Sequence, residues 1–216
     1  MSSELDGPRL APANGGPADR LVVLVHGYGA DGNDLIALGN HWRTLMPSAA
    51  FVAPNGPQRC DGNPMGYQWF PITRLDPVEL LKGVESAAPL LDAFIDQELE
   101  ANGLDGSRLA LVGFSQGTMM SLHVGTRRVP GPVGILGYSG ALVAPEKLAD
   151  VPSRPPVMLI HGDADDMLPI QAMHAAAGAL GDADFAVRWH VARGVGHGID
   201  PEGLELGGRF IADCFA

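Results

Sequence analysis

The chain has 216 residues, of which 46% are hydrophobic and 18% charged, with 25 acidic against 14 basic side chains and a formal charge of -11. A chain of this length buries about 70 to 75% of its unfolded surface without staples, and the composition is that of one globular domain over residues 1–216, with segment 1–19 expected to be partly flexible. The charge excludes nucleic acid as a natural partner, since long-range repulsion opposes polyanions, and solubility is its simpler use. No apolar run approaches the roughly 20 residues that span a bilayer, and Met1 to Asp19 contains no basic stretch followed by an apolar one, so the expectation is a cytoplasmic protein with no membrane insertion.

In chain order, short apolar runs alternate with longer amphipathic stretches, the mark of a mostly parallel sheet with helices on both faces, an α/β class. Arg9 to Pro12 is a candidate antiparallel edge strand. Strands are expected at Leu21 to Val25, Ala50 to Ala53, Leu109 to Val112, Val133 to Tyr138, Val157 to Ile160 and Phe185 to Val191. Helices are expected at Asp34 to Leu45, Glu79 to Glu100, Gln116 to Thr126, Ile170 to Leu180 and Gly203 to Phe215. Pro54 to Pro77 fits neither class: it is rich in Pro, Gly and polar residues yet carries Met65, Tyr67, Trp69, Phe70 and Ile72. A loop this long is functional or hides structure. The favoured reading is a substrate-facing loop; the competing one is that its aromatics plug onto the core. The two cysteines, Cys60 and Cys214, show no metal or redox spacing and are expected as free thiols.

Gly113, Phe114, Ser115, Gln116 and Gly117 follow an apolar run and open a helical segment, which is the nucleophile-elbow pattern. A serine on so sharp a turn needs small residues two positions before and after it, and glycine stands at both. A serine nucleophile also needs a base and an orienter, expected in the order Ser, Asp or Glu, His. After Ser115, strand Val157 to Ile160 runs into a loop with Asp163, Asp165 and Asp166, at the sheet edge where open parallel sheets place their chemistry. Strand Phe185 to Val191 leads to Gly196, His197 and Gly198. Among seven histidines, only His197 combines that order with a glycine-flanked loop. His26 and His161 read as loop braces, His190 as a strand residue, and His41, His123 and His174 as helix residues with satisfied nitrogens. Asp165 is the chosen acid, with Asp163 as a possible brace and Asp166 as a solvated charge.

The oxyanion hole is assigned to the backbone N–H groups of Gln116 and Tyr28, the latter in the loop His26 to Gly32. The glycines of that loop match G-x-G-x-x-G, but no acid follows a second strand at the right distance, so a nucleotide site is disfavoured. A non-catalytic binder on this fold is the reading of a different class, and the ordered Ser, Asp and His argue against it.

These motifs together resemble the phospholipase/carboxylesterase family of small α/β-hydrolases, which includes bacterial carboxylesterases and acyl-protein thioesterases. The resemblance runs from Leu21 to Phe215 and rests on His26-Gly27-Tyr28-Gly29, Pro54-Asn55-Gly56-Pro57, Trp69-Phe70, the elbow, Ser139-Gly140, the turn His161-Gly162 to Leu168-Pro169, and Gly196-His197. It implies an α/β-hydrolase fold, a triad of Ser115, Asp165 and His197, oxyanion donors at Tyr28 and Gln116, and no metal or cofactor. It also allows a homodimer. The chain departs from the family pattern at Thr118, where a second glycine is usual, at Pro71 and at Arg59-Cys60-Asp61. With no separate lid domain, the expected site is an apolar trough lined by Tyr28, Met65, Trp69, Phe70, Leu142, Leu168 and Val195. The expected activity is serine-dependent hydrolysis of small to medium acyl esters, with acyl thioesters or lysophospholipids as the alternative on the same site.

Overall fold

The computed structural model describes residues 5–216. Along the chain it forms β1 (Arg9–Leu10), β2 (Arg20–Val25), α1 (Gly32–Trp42), β3 (Ala49–Val52), β4 (Gln58–Arg59), β5 (Tyr67–Gln68) and α2 (Pro77–Ala101). There follow β6 (Leu109–Phe114), α3 (Gln116–Gly125), β7 (Gly134–Tyr138), β8 (Val157–Gly162), α4 (Gln171–Asp182), β9 (Val187–Ala192) and α5 (Pro201–Cys214). A seven-stranded sheet has the order β1-β3-β2-β6-β7-β8-β9. β1 pairs antiparallel with β3, and each other neighbouring pair is parallel.

The central strands are covered on both sides, so they read in the sequence as unbroken apolar runs. Side chains alternate between the faces. Leu21, Val23 and Val25 pack with Leu91 and Phe94 of α2 and Met119 and Met120 of α3, while Val22 and Leu24 pack with Leu35 and Trp42 of α1 and Phe210 and Ile211 of α5. A third cluster fills the space under α4 with Ile135, Leu159, Met173 and Leu180. Sheet and helices thus form the α/β-hydrolase arrangement, with every βα loop that carries a candidate residue opening on one edge.

Three helices, α1, α2 and α5, start earlier than expected because aspartates cap them. Asp31 accepts hydrogen bonds from the N–H groups of Asn33 and Asp34, and Asp34 returns one from the Asp31 N–H at 3.1 Å, so α1 begins at Gly32. Asp76 and Asp200 cap α2 and α5, each with a proline in the first turn.

The segment 54–77 is the main correction. It holds a short antiparallel hairpin, β4 with β5, that pairs Gln58 with Gln68 and Arg59 with Tyr67. Trp69 and Phe70, expected on the wall of an open trough, are 1% and 2% exposed and belong to the core. Burying two aromatic rings outweighs leaving them in a solvent-facing loop. Of the expected loose segment 1–19, residues 1–4 lie outside the described residues, whereas Leu5 is buried in the core and Arg9 Nη2 pairs with Glu98 at 2.6 Å. Cys60 and Cys214 are free thiols. Among the described residues no helix is long and apolar enough to cross a membrane.

Candidate active site

Ser115 stands between β6 and α3 with φ 54° and ψ −116°, outside the ordinary wells of a non-glycine residue. The turn is held there from several sides. The Ser115 N–H donates to the Tyr138 carbonyl at 2.8 Å. A Cβ on Gly113 would overlap the Gly117 carbonyl, and one on Gly117 would overlap the carbonyls of Val25 and His26, so both flanking positions admit only glycine. Thr118, the departure from the family pattern, is accommodated by glycines elsewhere. Its Oγ1 donates to Tyr138 O at 2.8 Å, and its methyl occupies the space left beside Gly137 and Gly140.

The acidic loop after β8 separates its three aspartates by role. Asp165 has a side chain 0% exposed, and its Oδ1 accepts the N–H groups of Met167 and Leu168, each at 2.9 Å. Its Oδ2 lies 2.7 Å from His197 Nδ1. Burial opposes the charged form, but the Leu168 N–H and His197 outweigh it and hold the carboxyl below the usual range. Asp163 instead accepts the Gly194 N–H at 2.6 Å and braces the loop that carries His197, and Asp166 is exposed. The His197 ring rests on Phe114, with centroids 5.0 Å apart, which sets it beside the residue that precedes Ser115.

His161 plays a larger part than its sequence position suggests. Its Nε2 lies 2.8 Å from Leu168 O and 3.2 Å from Asp165 Oδ2, so with acceptors on both sides it is the protonated nitrogen. The signal was available in part, since His161 ends β8 on the edge that bears Asp165. His26, fully buried, accepts the Gly56 N–H on Nε2 at 2.8 Å and donates from Nδ1 to Gly27 O at 2.7 Å, the brace expected of it. His123 departs from expectation, because its buried Nδ1 has no partner among the described residues. His190 Nε2 is in the same position.

The turn after β2 is clamped by the hairpin: Gly29 N–H donates to Tyr67 O at 2.9 Å, Tyr67 N–H to Ala30 O at 2.8 Å, and Asn63 Nδ2 to Gly29 O at 2.9 Å. Gly29 and Ala30 are thereby engaged, while the Tyr28 N–H has no backbone acceptor among the described residues. The Gln116 N–H is the first of α3 and has no intrahelical acceptor. The neighbouring Cys60 thiol, together with burial, holds the Tyr28 phenol above the ordinary tyrosine range.

Of the other expected trough residues, Leu168 is buried in the core, Met65 is 82% exposed at the hairpin tip, and Val195 is half-buried with its carbonyl accepting the Ala164 N–H. Leu142 borders an apolar groove of about 250 Å³ that Pro77, Val78, Leu80, Leu81 and Val143 also line. A strained serine, an imidazole fixed by a buried carboxylate and free amides at a helix start can perform acyl transfer.

The family model for Phospholipase/Carboxylesterase matches residues 11–215. The chain belongs to that family. Among family relatives, the chain is 30% identical to an acyl-protein thioesterase 1 of Gibberella zeae, over 95% of this chain and 94% of the relative. It is 27% identical to the esterase YpfH of Escherichia coli, over 88% of this chain and 81% of that one. The crystal structure of esterase PE8 superposes with a TM-score of 0.93 at 46% identity, covering 98% of this chain and 99% of the other. This phospholipase/carboxylesterase member is accordingly a serine hydrolase of the carboxylesterase and acyl-protein thioesterase group.

Proposed function

We propose that the chain hydrolyses small to medium carboxylic esters through an acyl-enzyme on Ser115, with His197 as base and Asp165 as its orienter. The observation that carries this reading is the pairing of His197 Nδ1 with the buried Asp165 at 2.7 Å, on a ring lodged against Phe114 next to the strained serine. With Nδ1–H directed at the carboxylate, Nε2 is the basic nitrogen. It takes the proton of Ser115 as Oγ attacks the ester carbonyl, then gives it to the departing alkoxide. Water, deprotonated by the same nitrogen, releases the acid and restores Ser115.

The oxyanion formed in each half-reaction is received by the N–H groups of Tyr28 and Gln116. We take the apolar groove bordered by Leu142 as the acyl site, because Leu142 comes two residues after Gly140, where a Cβ would lie 2.9 Å from Ser115 O. Kinetics on p-nitrophenyl esters of increasing chain length test this reading. Turnover by wild type that disappears in Ser115→Ala supports it, and absence of serine-dependent turnover at every length rejects it.

A second reading, hydrolysis of acyl thioesters, is favoured by the 30% identical relative named acyl-protein thioesterase. Matched oxygen and sulfur esters of one acyl group separate the two by kcat/KM.

A further inference from the structure

The two amides proposed to hold the oxyanion lie in different parts of the chain, one after β2 and one at the start of α3, yet one residue touches both supports. The Trp69 indole Nε1 donates to the His26 carbonyl at 3.0 Å, and the Trp69 backbone N–H donates to Gln116 Oε1 at 2.9 Å. Gln116 Nε2 in turn donates to Phe70 O at 2.8 Å, so its side-chain amide grips the Trp69-Phe70 backbone with both ends. All of these groups are out of water: His26 and Gln116 are 0% exposed, Trp69 1% and Phe70 2%.

The hairpin clamps the loop that carries Tyr28 on its Gly29 side, and Trp69 ties its His26 side. Gly27 and Gly29 flank Tyr28, and Gly29 has φ 79°, so the backbone there has little stiffness of its own. Donors stabilise a developing charge because they are already in place and need not reorganise, and a misplacement of about 1 Å costs about a hundredfold in rate. Gly27 also sits tightly on the elbow: a Cβ there would meet Phe114 Cδ1 at 3.0 Å and Ser115 Cβ at 3.2 Å. A shift of the His26 carbonyl is thus passed to the Tyr28 N–H and toward the serine together.

Resting on the function proposed above, we infer that Trp69 is a positioning residue: through its indole to His26 and its N–H to the Gln116 side chain, it fixes the separation of the two oxyanion donors. This assigns a task in the reaction to a buried aromatic that core filling alone would explain, and to the side chain of a glutamine whose backbone N–H is the proposed oxyanion donor.

The test compares wild type with Trp69→Phe, which retains an aromatic ring but lacks the N–H to His26, and Gln116→Met, which retains volume but lacks both side-chain hydrogen bonds. Each is assayed for kcat and KM on a p-nitrophenyl ester, for inhibition by a trifluoromethyl ketone of the same acyl group, and for the pH profile of kcat/KM. Ile211→Ala, a core variant on α5 on the sheet face opposite to Trp69, controls for loss of stability alone. Expected are a kcat lower by about ten- to a hundredfold, a ketone inhibition constant raised in parallel, KM within about twofold and an unmoved pH profile. Ile211→Ala should melt earlier with kcat unchanged. Folded Trp69→Phe and Gln116→Met with wild-type kcat and ketone affinity would overturn the positioning role while leaving the esterase reading intact. If Trp69→Phe does not fold, Gln116→Met decides by the same readouts. Absence of serine-dependent turnover in wild type would overturn the esterase reading, and the positioning role with it.

Discussion

His161 and His197 converge on one oxygen: Asp165 Oδ2 is 3.2 Å from His161 Nε2 and 2.7 Å from His197 Nδ1. The other carboxylate oxygen is occupied by two backbone N–H groups, so the acid is fixed from both ends. Asp165→Asn is expected to lower kcat by about 10⁴-fold, because the amide no longer selects the tautomer with Nε2 free. His161→Leu removes only one donor and should cost about ten- to a hundredfold, with partial recovery in His161→Gln, whose amide nitrogen can reach the same oxygen. Equal losses in Asp165→Asn and His161→Leu would contradict this ranking of the two partners.

Thr118 and Gly137 are coupled by shape. A Cβ at position 137 would lie 2.5 Å from Thr118 Cγ2, so Gly137→Ala should destabilise by about 1 to 3 kcal/mol through overpacking. Thr118→Ser removes the offending methyl and keeps the hydroxyl that donates to Tyr138 O. Urea unfolding of the four members of this double-mutant cycle should show most of the penalty relieved in the Thr118→Ser background. Additive effects would show that the two residues do not share the space.

His123 gives stability a pH dependence. Burial, reinforced by Arg127 and Lys147 against Glu85, lowers its pKa from 6.5 to about 4. The unfolded chain therefore binds the proton more readily than the native one. The contribution is fully present above pH 6.5 and is lost as pH falls toward 4, amounting to about 1 to 2 kcal/mol once the ring's residual contact with solvent is allowed for. Denaturant midpoints measured from pH 7.5 to 4.5 should fall more steeply in wild type than in His123→Leu. Parallel curves would exclude His123 as the source.

Cys214 should be a sluggish thiol. Burial, aided by Asp213, raises its pKa to about 11, and the thiolate is the reactive form. Native protein at pH 8 is expected to react with a disulfide reagent about tenfold or more slower than the denatured chain, with Cys60 silent because it is buried. Rapid stoichiometric labelling of the native protein at pH 7 would contradict this.

How much the sequence revealed follows from where side chains point. β2 and β6 were legible because both faces are covered, which leaves unbroken apolar runs such as Leu21 to Val25. The hairpin of β4 and β5 was not, since each strand is 2 residues long and offers no alternation to detect. The starts of α2 and α5 were readable after all in Asp76-Pro77 and Asp200-Pro201, an N-cap followed by proline. At the candidate site, the meeting of Asp165 and His197 was legible because a parallel sheet brings successive βα loops to one edge. The hydrogen bond between Trp69 and Gln116 spans 47 residues of chain and leaves no periodic trace. The trough expected at Trp69 and Phe70 failed for a related reason: an aromatic in a polar segment carries no mark of whether it faces solvent or core.

The most direct measurement of the central claim is mass-spectrometric mapping of the adduct formed with a fluorophosphonate. Activation of Ser115 by His197 predicts one adduct, on the peptide containing Ser115, absent from Ser115→Ala and formed far more slowly by His197→Ala. A folded wild-type protein that forms no adduct, or forms it on another residue, would contradict it.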